Sequence, residues 1–247
     1  MAIAALLGSV ALTATLAQHP APKQAADPLL WLILHPAEDS RPEDMARFDD
    51  EMDEHLVAVL DASPELRGRM QSTRKPLIRA LESKAAFASL HFDPLRPMQL
   101  TEGEKKVLED YLSRGGFLLL VENNYPYTES EYRRKVEGTL FDYFSVELSA
   151  RNPQFTVDRI GADHPVFHQA YRIEYPEFIL REIFENPNYR GETVFLHRGR
   201  LVGYTLSVYA FPGPDGHVPL SRPYSHYNLI ETGYKLLVNI YLYALQH

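Results

Sequence analysis

The sequence predicts an α/β fold around a mostly parallel central sheet, and three observations carry that expectation. Residues 100–124, LTEGEKKVLEDYLSRGGFLLLVENN, write a capped helix, a glycine stop and a buried strand in succession. Apolar runs at 29–34, 86–90 and 117–121 are separated by segments of helical periodicity. The first and last of these runs lack polar alternation, the pattern of strands covered on both faces rather than half exposed to water.

In order along the chain, residues 1–17, MAIAALLGSVALTATLA, contain no charged side chain. Thr15-Leu16-Ala17 has the small-x-small form of a signal-peptidase site, so a signal peptide and a periplasmic or secreted location are expected. The usual basic n-region is missing. The run is short for a membrane span of about 20 residues, and no span is expected after signal cleavage. Residues 18–28 are rich in Pro and Ala and read as a linker, leaving 29–247 as one α/β domain.

The run LLWLIL at 29–34 is the first strand. Ser40 and Glu43 frame a capping box, Pro42 fits the first turn, and Met45, Phe48, Met52, Leu56, Val59 and Leu60 recur at helical spacing, which predicts a helix to about residue 60. Residues 86–90 form a short second strand. Thr101 and Glu104 make another capping box, with Glu102 and Glu104 at the positive end of the helix dipole. Val107, Leu108, Tyr111 and Leu112 give that helix one apolar face, and Gly115 stands where a left-handed stop belongs. With the strand at 117–121 this is a βαβ unit, whose crossover is right-handed in nearly all proteins.

Further on, the pattern predicts a helix over 130–143, a weak strand near Val157, and two strands around a turn at Arg198-Gly199 in TVFLHRGRLVGYTLSV. Residues 209–227 carry four prolines and read as a long loop. Leu229, Ile230, Gly233, Leu236, Leu237, Ile240 and Ala244 then mark a closing amphipathic helix.

Composition excludes several function classes. At 247 residues, 45% hydrophobic and 23% charged, the chain is ordinary globular protein. Its net charge of −8 supplies no basic stripe to displace phosphate counterions, so no nucleic-acid partner is expected. It contains no cysteine, which removes disulfides, thiolate metal sites and a thiol nucleophile. No G-x-S-x-G elbow, Walker A loop or G-x-G-x-x-G follows a strand, and no cofactor is expected. Gly115-Gly116 precedes a strand and is a turn, not a phosphate cradle.

Candidate chemistry lies at the strand ends, because ligands of open parallel sheets sit outside the carboxyl ends of the strands. The best strands end in His35, in His91 and Asp93, and in Glu122, Asn123 and Asn124. These groups could form a metal, acid/base or ligand site. They are also the residues through which any strand must leave a core. His164 and His168 have the i, i+4 spacing of metallopeptidase helices, but Pro165 and Val166 remove the HExxH glutamate. Asp163-His164-Pro165 therefore reads as a structural helix start, and no metal is expected. His226 is a lone candidate ligand. The tyrosines crowding the C-terminal part fit a core with hydroxyls at its rim better than an aromatic groove.

The ordered segments L-T-x-x-E, YLSRGGFLLLVENN, ADHPVFHQAYRI, GRLVGY and VNIYLYAL, spanning about 77–245, resemble the bacterial family called domain of unknown function 4159. The resemblance implies a flavodoxin-like three-layer sandwich similar to class I glutamine amidotransferases, and export for many members. It implies no established reaction. Members commonly carry acidic residues after the GGF strand, matched here by Glu122, with Asn123 where a second acid is frequent. The stretch 31–69 matches the usual opening of the family poorly.

Two function classes follow. One is a non-catalytic ligand-binding or assembly module, with a protein or small-molecule partner, that keeps the sandwich without its nucleophile. The alternative is a hydrolase or metal-dependent enzyme using His35, His91, Asp93 and Glu122. The absence of a complete catalytic constellation favours the first, and the missing thiol rules out a cysteine-dependent amidotransferase.

Overall fold

Among the described residues, seven strands form one mixed sheet in the order β2-β1-β3-β4-β7-β6-β5. The computed structural model describes residues 28–37, 43–92, 98–122, 140–158, 160, 163–173, 194–207 and 229–247. The expected signal, the linker as far as residue 27, the 209–227 loop and the site candidates Asp93, Asn123, Asn124 and His226 lie outside these residues.

The strands are β1 (Leu29–His35), β2 (Met70–Pro76), β3 (Phe87–Phe92), β4 (Phe117–Glu122), β5 (Phe155–Asp158), β6 (Val194–His197) and β7 (Arg200–Ser207). Pairs β1–β2, β1–β3, β3–β4 and β4–β7 are parallel. Only β6 runs against its neighbours, so the sheet is mostly parallel, as the unalternating apolar runs predict. Phe117, Leu118, Leu119, Leu120 and Val121 are all buried, because β4 lies between β3 and β7 and is covered on both faces.

Helix α1 (Glu43–Ala62) packs Met52, Leu56 and Leu60 on the face that carries Trp31, Ile33, Phe87 and Leu119. The closing helix α3 (Leu229–Gln246) covers the same face with Leu236, Leu237, Ile240 and Tyr241. Helix α2 (Glu102–Ser113) lies on the other face with Leu108, Tyr111 and Leu112 against Leu32, Leu90 and Leu118. The 3-10 turn Leu77–Glu82 and a helical stretch running from Leu140 to Arg151 share that second face.

The capping box of α2 forms as expected: Thr101 Oγ1 accepts from the Glu104 amide, and the Glu104 carboxylate accepts from the Thr101 amide. At its other end Gly115 adopts φ +106°, and the amides of Gly115 and Gly116 donate to the carbonyls of Leu112 and Tyr111, a Schellman stop. The β6–β7 hairpin turns at Arg198 and Gly199, both with positive φ (53° and 76°), the turn that matches the twist of a hairpin.

Three elements differ from the sequence expectation. Strand β2, MQSTRKP, has no apolar pattern because it is an edge strand, largely exposed along its length. The helix expected over 130–143 is described only from Leu140, and there it continues through a π-helical segment, Tyr143–Glu147, to Arg151. His164 and His168 stand on a single 3-10 turn, Pro165–His168. His164 is its cap, with Nδ1 accepting from the Val166 amide at 3.2 Å, so Asp163-His164-Pro165 is the structural start that its proline suggests.

Candidate functional site

The chain leaves β1 into α1 on one face and leaves β3 towards α2 on the other. Adjacent parallel strands that feed opposite faces define a topological switch point, where connections diverge and a crevice opens at the carboxyl edge. Leu34 of β1 is level with Leu90 of β3. Continuing that register brings His35 level with His91, so two of the sequence candidates stand side by side at this point.

His91 is 4% exposed. It follows Phe87 and Ser89 along β3 at the alternate positions that face α1. Helix α1 answers with two carboxylates four residues apart, Asp49 (3% exposed) and Asp53 (1%). His91 Nε2 lies 2.8 Å from Asp53 Oδ1, and its Nδ1 lies 3.4 Å from Asp49 Oδ1. The network continues inward: Ser89 Oγ is 3.5 Å from Asp53 Oδ1, and the Trp31 indole N–H donates to Ser89 Oγ at 2.8 Å.

Burial by itself lowers the pKa of an imidazole, since it penalises the charged form. Here the charges of Asp53 and Asp49, with their hydrogen bonds, outweigh burial and push His91 up to about 10. The cluster is thus an imidazolium between two carboxylates at neutral pH. Such a group donates at both nitrogens and has no lone pair with which to accept a proton or bind a metal.

The other face of the edge is held by Glu104, 1% exposed. Besides its capping contact with Thr101, its Oε1 accepts from the Ala37 amide in the connection leaving β1, at 2.6 Å. Glu122 is not in the His91 row. Its backbone is paired with Phe92 and Ser207, and Val121 is the residue beside His91. His35 is half-buried at the end of β1.

The carboxylates that meet His91 therefore come from α1, where sequence reasoning did not look. Their signal was present: Asp49 and Asp53 keep helical spacing with Met52, Leu56 and Leu60, so both acids fall within the apolar stripe. Among the described residues no group of three or more histidine or acidic side chains is arranged to hold a metal ion. Among them, too, no helix is long and apolar enough to cross a membrane.

Fold and site together define a mixed α/β protein with a mostly parallel sheet and a buried Asp–His–Asp cluster at its switch point. Residues 44–245 match the model of the family described as domain of unknown function (DUF4159), and the chain belongs to that family. No curated protein matches it.

Proposed function

We propose that this chain is a non-catalytic ligand-binding or assembly module on an amidotransferase-like sandwich, acting outside the cytoplasm and receiving its partner at the β1/β3 crevice. The observation that carries this reading is His91. The buried histidine of the switch point has both ring nitrogens engaged by carboxylates, and it is charged through the physiological range. A general base needs a free lone pair and a pKa near the working pH, and His91 offers neither. The thiol nucleophile of an amidotransferase is missing from the whole chain. Export is supported by the uncharged opening run and its small-x-small end.

Purified protein incubated with glutamine is expected to release no ammonia above a boiled control, with or without added zinc. Reproducible release that disappears in His35→Ala would overturn the module and favour a hydrolase at the same edge.

A further inference from the structure

We propose that Glu104 is the positioning residue of the β1/β3 crevice, an internal anion that fastens the two bordering connections together and fills the place of a ligand's phosphate. The inference rests on the crevice reading above and deepens it by excluding a class of ligand.

In an ordinary capping box the glutamate reaches back to the N-cap amide alone. Here one oxygen, Oε2, accepts from the Thr101 amide at 2.9 Å and from Thr101 Oγ1 at 2.8 Å. The other, Oε1, reaches across to the Ala37 amide at 2.6 Å. Thr101 ends the connection that leaves β3, and Ala37 lies in the connection that leaves β1. These are the two connections that border the switch point, and one buried carboxylate joins them.

Amides at a helix N-terminus, aided by the helix dipole, are where α/β folds receive phosphate at such crevices. In this chain the anion is already present and covalently tethered. A phosphate approaching the same amides would have to displace Glu104 and would meet its charge. A ligand of the crevice is accordingly held by groups other than the α2 N-terminus, and carries no phosphate on that side.

Glu104→Ala removes a fragment equivalent to acetate, so the test is chemical rescue in the full chain. Amide exchange at Ala37 and Thr101 and the melting temperature are followed while acetate or phosphate replaces chloride at constant ionic strength. Without added anion, both amides are expected to exchange at least tenfold faster than in the parent, while Leu112, at the far end of α2, keeps its protection. Millimolar acetate or phosphate is expected to restore both amides and raise the melting temperature, with no anion response in the parent. Unchanged protection at Ala37, or failure of both anions to rescue, would overturn the proposal, as would phosphate raising the melting temperature of the parent. If Glu104→Ala does not fold, Glu104→Gln decides. Its single amide oxygen can serve only one connection, so one of the two amides should lose protection and the other keep it; retention of both would overturn the proposal. None of these readouts involves turnover, so their failure is distinct from ammonia release overturning the module.

Discussion

His91 Nε2 lies 2.8 Å from Asp53 Oδ1, joining the middle of the sheet to the first helix through a buried ion pair. The contact spans 38 residues of sequence and is prolonged by Ser89 to Trp31, the single tryptophan. It seats the acidic part of α1 over the carboxyl ends of β1 and β3. The carboxyl edge at β1 and β3 is thereby tied down on both faces, by this pair on one and by Glu104 on the other.

Breaking the cluster is expected to cost far more than replacing it. Asp53→Ala leaves a buried imidazolium with one carboxylate and should lose about 3–5 kcal/mol, the usual cost of stranding one partner of a buried pair. The joint variant Asp49→Leu, Asp53→Leu, His91→Phe removes these three charges together and should recover most of that loss, since well-packed apolar replacements are often neutral or stabilising. Urea unfolding of the two proteins measures the difference. A joint variant weaker than Asp53→Ala would mean that the cluster contributes net stability.

The same cluster sets a pH dependence whose sign is fixed. His91 titrates at about 10 in the folded chain and near 6.5 when unfolded, so folding raises its affinity for a proton. Its contribution is fully present below about pH 6.5, declines as pH rises from there, and is gone above about 10. Urea midpoints of the parent protein should therefore fall between pH 7 and 9.5 relative to those of the joint apolar variant, which lacks the group. Parallel curves would show that His91 is not held as an imidazolium.

Ser89 connects this chemistry to an optical signal. Ser89→Ala strands the Trp31 indole N–H in a dry environment, at a cost of roughly 1–3 kcal/mol. With a single tryptophan in the chain, the emission should shift to the blue as the hydrogen bond is lost. Emission identical to the parent would show that the Trp31–Ser89 bond does not form in solution.

How much of this was legible in the sequence depended on whether local chemistry decided the structure. Thr101, Glu104 and Gly115 act through hydrogen bonds and φ angles within a few residues, so the bounds of α2 could be read directly. Phe117 to Val121 could be read because burial on both faces leaves no room for polar alternation. Strand β2 could not, since an edge strand facing water needs no apolar signature and owes its state to pairing with β1. The site divided in the same way. His91 was legible as the polar end of an apolar strand. Its partners Asp49 and Asp53 show only as acids that interrupt the apolar stripe of α1, a pattern that names no partner across 38 residues of chain. At the end of β4 the backbone of Glu122 pairs with Phe92, and Val121 is the residue level with His91.

Asn239 on α3 offers a test of how the segment after β5 is held. It is fully buried; its Oδ1 accepts from the amides of Ala170 and Tyr171 at 2.9 Å each, and its Nδ2 donates to the Tyr171 carbonyl at 2.7 Å. Asn239→Ala orphans three backbone groups at once and should cost roughly 2 kcal/mol or more, with faster exchange at both amides. Asn239→Asp keeps the acceptor but loses the donor and faces a carbonyl with a charge, so it should not restore the parent stability. A parental urea midpoint in Asn239→Ala would show that water replaces the side chain without penalty.

The central position of β4 makes the most severe prediction. Leu119 is level with Ser89 on one side and Tyr204 on the other, fully buried between parallel neighbours. Leu119→Asp puts a carboxylate into the apolar cluster that α1 and α3 form on this face of the sheet. Leaving it ionised there costs several kcal/mol, against a total stability of about 5–15 kcal/mol for a typical domain. The variant should lack a cooperative thermal transition. Val146→Asp is the matched control, because that side chain is 66% exposed and the same change there should leave the melting temperature nearly unmoved. If both variants melt with the parent, β4 does not lie in the interior of the sheet, and the switch point built on its neighbours fails with it.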